Sequence, residues 1–487
     1  MHLVVIKTVR LRRLGLLGRS TRTSACQIWE GVFTWYQEES LEPTRRIRLY
    51  TVTTLLSIQT CPQDRFAVLC RLTRPRTLVN RGWMSTPKPI PYWVLALAMA
   101  VPAILVGVEI PTWFFFGSQS VRLQSDLRVL YTPAYMMRSG QRKDIYDFSA
   151  IRRNQATRIA SDNGALPFLH PAYEAALFLP LSFLPYRMAY VGWALVNLAV
   201  LGLIYFLLRD SLPYLSSIGP RWIVPALLIG FMPVAFAILE GQDSMFLLLI
   251  LVLVYRRIES NELQTGMLLG LGSFRFQVIL PIIVLFLLWR GFKVVGGWIA
   301  SSAILWGVSV ALTGIRAQMQ YLELLHQMSG FSFKLLLDRM PNLRGLFTAY
   351  GLGVVPLTLV SISVFLVAAI IGTQESVRQR LLLAVCVAAI VPWYLFMHDL
   401  SLLVLPILLA INEAIARRDW AFAALPSIVL LGFAVFWFSR SRLYLGALLT
   451  VFFFVTEVAR LWRWGRRDKG APKGRSLIIS TPLDTSL

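Results

Sequence analysis

From Tyr92 to Trp462 the chain returns repeatedly to apolar runs of nearly membrane-spanning length, beginning with YWVLALAMAVPAILVGVEIPTWFFFG. A helix needs about 20 apolar residues to cross a hydrocarbon layer about 30 Å thick, and no other structure satisfies its backbone there as simply. The pattern therefore dictates an all-α polytopic membrane protein. Composition agrees: of 487 residues, 56% are hydrophobic and 15% charged, a balance outside the range of soluble domains.

The formal charge of +23 would suggest nucleic acid in a soluble chain, but here Lys and Arg cluster at the ends of apolar runs. They read as topology signals and membrane-surface anchors, with membrane lipids and not nucleic acid as the partner. Cys26, Cys61 and Cys70 precede the first span and Cys386 lies inside an apolar run, so no disulfide framework emerges. His2, His170, His326 and His398 are too scattered to suggest a metal site by spacing. No metal or cofactor is expected.

Residues 1–83 are Arg-rich and contain no apolar run long enough to span. VRLRRLGLLGR has the character of a basic targeting segment. MSTPKPIPYW, from Met84, reads as an ordinary start with a short basic leader. The expectation is an over-extended gene start or a disordered cytoplasmic extension over 1–83, a transmembrane domain over 84–462 and a basic cytoplasmic tail over 463–487.

About twelve spans are expected: Tyr92–Gly117, Met188–Leu208, Trp222–Leu239, Ser244–Tyr255, Leu263–Phe274, Phe276–Trp289, Val294–Thr313, Leu346–Gly372, Leu381–Met397, Leu400–Ala416, Trp420–Phe438 and Leu443–Trp462. If they alternate, Arg209 and Arg221, Arg256 and Arg257, Arg290 and Lys293, Arg378 and Arg380, and Arg417 and Arg418 share one side, which the positive-inside rule makes cytoplasmic. Arg440 and Arg442 are exceptions. Both termini are then cytoplasmic in a multi-pass cell-membrane protein. This holds only if PAYEAALFLPLSFLP, interrupted by Pro180, stays on the outer face as a juxtamembrane or re-entrant helix. The outer side thus owns two long, partly amphipathic loops, Ser118–Arg187 and Gly314–Gly345.

Ionisable residues at the membrane are costly, so each on the outer side is a candidate. Asp126 sits just past the first span, where a carboxylate can stay ionised and take a proton from a hydroxyl as general base. A solvated carboxylate paired with Arg122 or Arg128 is the competing reading. Arg275 interrupts GMLLGLGSFRFQVILP where the chain turns on the outer side, and its planar fork suits phosphate oxygens. A guanidinium snorkelling at a helix end is the alternative. Gln242 in EGQDS and His398 with Asp399 in MHDLSLL are polar turns on the same side. The His–Asp pair is suited to orienting a sugar or a phosphate, although such groups are more often helix caps. Asn342 and Arg344 in DRMPNLRGLF stand immediately before a span, as ligands or interfacial anchors.

Taken in order, SDLRVLYTPAYMMRSGQRKDIYD, LPFLHPAYEAALFLPLSFLPYRMAYVGWALVNLAVLGLIYFLLR, EGQDSMFLLLILVLVYRR, QTGMLLGLGSFRFQVILPIIVLFLLWR, PNLRGLF and HDLSLLVLPILLA resemble glycosyltransferase family 87, over roughly Tyr92 to Trp462. The resemblance implies a C-type bundle of about 12 transmembrane helices, with a long outer first loop that carries juxtamembrane helices and the catalytic acid. It implies transfer of a sugar, expected to be mannose, from a polyprenyl-phosphate-linked donor to a lipid or glycan acceptor. Asp126 matches the acidic position. Arg275 stands where the family commonly has Lys, in a stretch that reaches the lipid phosphate, and Arg344 is expected to join it there. HPA at His170–Ala172 replaces the commoner Tyr-Pro-Pro. Gln242, His398, Asp399, His170, Tyr131 and Asn342 are the expected substrate contacts. A single base with direct attack implies inversion.

A transporter or lipid flippase is the main alternative, but no internal repeat is visible. A non-catalytic scaffold would leave Asp126, Arg275, Gln242 and His398 on one face without purpose.

Overall fold

The computed structural model describes residues 12–14, 27–39, 46–58, 90–119, 125–159, 164–329, 339–436 and 442–470, and it divides into two units, Met1–Pro91 and Tyr92–Leu487. Arg440 and the tail from 471 onward lie outside the described residues.

In the first unit the backbone forms an antiparallel sheet of β1 (Arg12–Leu14), β2 (Gln27–Glu39) and β3 (Arg46–Ile58), with Gln27 opposite Ile58 and Glu39 opposite Arg46. The sequence reading expected an over-extended gene start or a disordered cytoplasmic extension over 1–83. The signal for a sheet is local: the segments FTWY and LYTVTT are rich in aromatic and β-branched residues, which fit a pleated surface.

The second unit is helical throughout its described residues. Its first helices are α1 (Tyr92–Gln119), α2 (Leu127–Arg138), α3 (Phe148–Arg158), α4 (Ala172–Leu177), α5 (Tyr186–Leu208) and α6 (Pro213–Ser217). Then come α7 (Ile223–Ile229), α8 (Met232–Leu239), α9 (Ser244–Arg257), α10 (Glu262–Leu271), α11 (Phe276–Leu288), α12 (Phe292–Thr313) and α13 (Ile315–Ser329). The last are α14 (Leu343–Ala349), α15 (Val354–Gly372), α16 (Val377–Ile390), α17 (Val404–Ala416), α18 (Trp420–Phe436) and α19 (Gly446–Gly470). Among the described residues seven segments have the length and hydropathy of a membrane crossing, fewer than the twelve expected, and one of the seven, Glu262–Leu288, is α10 and α11 taken together.

The deficit comes from broken helices. The expected span Trp222–Leu239 divides into α7 and α8 at Gly230, where an added Cβ would lie 2.8 Å from Leu105 Cβ of α1. Leu346–Gly372 divides into α14 and α15 at Gly351, whose φ is +67°. The span expected from Leu400 begins instead as a 3-10 segment, Met397–Leu403, leading into α17. PAYEAALFLPLSFLP does not cross: α4 has 6 residues and the 3-10 turn Pro180–Phe183 has 4.

Helices α10 and α11 form a hairpin. Close contacts run in parallel register between α10 and α12: Gly297 against the Leu263 carbonyl, Ser301 Oγ to Met267 O at 3.0 Å, and Ser273 Oγ to Ser302 Oγ at 2.9 Å. Because α11 must return to the start of α12 within a three-residue link, it runs opposite to both. The hairpin tip, Gly272–Arg275, stands level with Ser302, about 15 Å up α12 at 1.5 Å per residue. It therefore lies about halfway along the 22-residue α12, a helix long enough for a layer about 30 Å thick. Irregular backbone at that depth is tolerated where it lines a polar cavity.

The two ends of the bundle differ in charge. At one end Arg256 donates to the Leu207 carbonyl, Arg378 pairs with Glu259 at 3.0 Å, Trp289 donates to Ala369 O at 2.9 Å and Arg460 pairs with Glu413 at 2.6 Å. These contacts gather the basic turns on one side, as alternation required. At the other end α2, α3, α4 and α13 pack into a cap with its own core, in which Leu130, Ile145, Phe168 and Tyr321 are buried. The tips of α8, α9, the α10–α11 hairpin and the Met397–Leu403 segment meet beneath that cap.

Candidate active site

The polar cluster under the cap is built on Arg275. It stands at the hairpin tip, only 4% exposed, where an unpaired guanidinium would be very costly. Its Nε donates to Asp243 Oδ1 at 2.9 Å and Nη2 donates to the same oxygen, while Nη2 also donates to Gln242 Oε1 at 2.6 Å. Nη1 lies 3.5 Å from Asp399 Oδ1. Arg275 was expected to offer its fork to a donor phosphate. Its fork is already filled by carboxylates and an amide from two other segments of chain.

Gln242 carries the connection onward. Its Nε2 donates to Asp126 Oδ2 at 3.0 Å. Arginine can only donate and an ionised carboxylate can only accept, so a single amide orientation satisfies both partners. Asp126 and Arg275 are thus joined through one side chain. The other oxygen of Asp126 has no protein donor among the described residues, and no ion pair links Asp126 to Arg128. Asp126 precedes α2 without capping it, and its backbone is tied down by Leu127 N donating to Glu240 O at 3.1 Å.

Glu240 Oε2 lies 2.8 Å from His398 Nδ1, and His398 Nε2 is 3.7 Å from Asp399 Oδ2. Asp399 also accepts from Phe396 N at 3.0 Å, as the cap reading requires. Behind Arg275, His170 Nδ1 lies 2.7 Å from Glu174 Oε2 and 3.7 Å from Asp243 Oδ2. Burial and then the Arg275 charge pull His170 down to about 4. Burial and then the Asp243 charge push Glu174 well above the carboxylate range. Burial would also raise Asp243, but the Arg275 guanidinium more than reverses this and holds it below its ordinary value.

Three expected substrate contacts make bonds within the fold. Tyr131 packs edge-on against Tyr186 and donates to Leu184 O at 2.8 Å. Asn342, fully buried, caps α14 by accepting from Gly345 N at 3.0 Å and donates to Pro392 O at 2.7 Å. His170 is turned inward onto Glu174. Arg344 differs: its Nη1 donates to Trp393 O at 2.8 Å and its guanidinium stacks 3.8 Å over the Trp393 ring, and among the described residues its remaining donors have no acceptor. Tyr394 lies between Arg344 and the acids; burial, then Asp126 and Asp399, hold its phenol above the ordinary range.

Glu174, Glu240 and Asp243 belong to the site but were not among the expected residues. EGQDS marked the right turn, and Glu174 was visible only as a charge interrupting an apolar run.

The model of glycosyltransferase family 87 matches residues 168–406, a narrower span than the resemblance suggested. No curated protein and no solved structure matches. The matched segment holds every site residue named above except Asp126 and Tyr131, and the Gln242 bridge brings Asp126 to it. Over that segment the chain matches glycosyltransferase family 87, which supports a membrane glycosyltransferase.

Proposed function

We propose that the enzyme moves a sugar, mannose by the family resemblance, from a polyprenyl-monophosphate donor to a hydroxyl of a lipid or glycan acceptor. Asp126 is the general base. The observation that carries this reading is the half-used carboxylate: Gln242 holds Asp126 Oδ2, and the second oxygen, which has no donor among the described residues, can accept a proton. The acceptor hydroxyl gives its proton to that oxygen as its own oxygen bonds to the anomeric carbon. The bond from that carbon to the phosphate oxygen breaks, and the electron pair leaves on the phosphate.

Charge must meet the departing phosphate. The donors of Arg344 that stay uncommitted among the described residues, beside Trp393, are suited to this, while Arg275 holds Gln242 and Asp243. One base and one displacement invert the anomeric carbon, so a β-linked donor yields an α-linked product. By the positive-inside rule the basic end faces the cytoplasm with both termini, and the end of the bundle that carries Asp126 faces outward.

The test is transfer of labelled mannose from polyprenyl phosphate to membrane acceptors by the wild type and by Asp126→Asn. A loss of about 10²–10⁴-fold is expected, with thermal stability retained. Equal transfer by both proteins removes Asp126 from the role of base.

A further inference from the structure

Two groups of His and carboxylate side chains bring potential ligand atoms within 4.8 Å of one another: Asp126, Glu240 and His398, and His170, Glu174 and Asp243. They differ in how far the protein satisfies them. In the first, Gln242 donates to Asp126, and Glu240 is paired with His398. In the second, Glu174 Oε1 and Asp243 Oδ2 are both buried with no hydrogen-bond partner. The residues holding them are 2% and 3% exposed. Buried polar atoms are rarely left so, and two such oxygens in one cluster call for a positive group between them.

Charge points the same way. Glu174, Asp243 and Asp399 surround Arg275, and all four are 4% exposed or less. Three carboxyl groups share one guanidinium there, so further positive charge, a proton or a cation, must sit at the unpartnered oxygens of Glu174 and Asp243. We propose that His170, Glu174 and Asp243 form a binding site for one divalent transition-metal ion of the Zn²⁺ or Mn²⁺ class.

The donor set selects that class. An imidazole nitrogen with carboxylate oxygens suits borderline divalent ions; no thiolate is present for a softer metal, and the nitrogen disfavours Ca²⁺. The surrounding contacts are those that orient ligands. Arg275 binds the other oxygen of Asp243 at 2.9 Å, and His170 stacks on Phe168 with centroids 5.7 Å apart. Tyr146 holds the His170 carbonyl at 3.0 Å. The ion ties α4 to the turn between α8 and α9, and so holds Asp243, Arg275 and Gln242 in register behind Asp126. It touches neither donor nor acceptor.

The experiment uses tag-free, full-length protein purified in detergent without chelator, dialysed against Zn²⁺ or Mn²⁺ and then against metal-free buffer. Bound metal is measured by inductively coupled plasma mass spectrometry. About one equivalent is expected in the wild type and in Asp126→Asn, and less than about a tenth of that in Glu174→Gln. Metal retained by Glu174→Gln overturns the assignment, as does metal lost from Asp126→Asn, which would shift it to the other group. A wild type that holds no metal after either dialysis also overturns it, leaving a proton shared by Glu174 and Asp243. Should Glu174→Gln fail to fold, X-ray absorption on the metal-loaded wild type decides. One imidazole nitrogen with carboxylate oxygens at about 2.0–2.2 Å is expected, and a shell without imidazole refutes the site.

Discussion

Replacing Arg275 by Met separates two accounts of that residue. In the structure Arg275 makes bonds to Asp243 and Gln242 and an ion pair with Asp399, and those two aspartates are 3% and 1% exposed. Methionine fills much of the volume but leaves both carboxylates without a counter-charge. Breaking one buried pair from one side costs about 3–5 kcal/mol. Against a typical total of about 5–15 kcal/mol, Arg275→Met should unfold at clearly lower temperature or denaturant. Adding Asp243→Asn in the same chain removes one stranded charge and should recover about 1–3 kcal/mol, a coupling expected for groups in direct contact. The assay is unfolding in detergent followed by intrinsic tryptophan fluorescence, on wild type, both single variants and the double variant. A residue that instead served the donor phosphate at the pocket mouth would raise the donor KM and leave folding intact. An Arg275→Met protein as stable as the wild type, with a raised KM, would refute the buried-hub account.

Gly266→Ala should drive α10 and α12 apart, because its new Cβ would sit 2.0 Å from the Val294 carbonyl oxygen and backbone cannot move aside cheaply; a loss of at least about 1–3 kcal/mol in the same unfolding assay is expected. Asn342→Ala removes the α14 cap and strands the Pro392 carbonyl, which should cost about 1–2 kcal/mol while donor KM stays near wild type. Arg344→Lys keeps the charge but loses the planar fork stacked on Trp393, so donor KM should rise by about tenfold with stability little changed; an unaltered KM would exclude Arg344 from the phosphate.

Much of the bundle was legible because hydropathy is additive along the chain. The turn at Arg275 between two short apolar runs was read correctly, as was the failure of the Pro171–Pro185 segment to cross. The break at Gly230 was not legible, since it depends on how closely α1 passes at Leu105. The site shows the same division. Asp126 was visible as an acid beyond the first span, and EGQDS as a polar turn on the correct side. Arg275 looked like an open fork because its occupants lie elsewhere in the chain: Asp243 is 32 residues away in sequence, and Asp399 is on a different segment. Tyr131 and Asn342 had the composition of ligands, but packing assigned their polar atoms to Leu184, Gly345 and Pro392.

The amino-acid sequence by itself determined that this chain lives in a membrane, which ends of its helices carry positive charge and that an acid waits past the first crossing. Those properties follow from transfer free energies, which each segment carries whatever its neighbours are. Which charge neutralises which was decided only by tertiary structure. Ion pairing in a low-dielectric interior acts over a few ångströms, and only the folded bundle brings Asp243, Asp399 and Gln242 to Arg275, and Gln242 to Asp126.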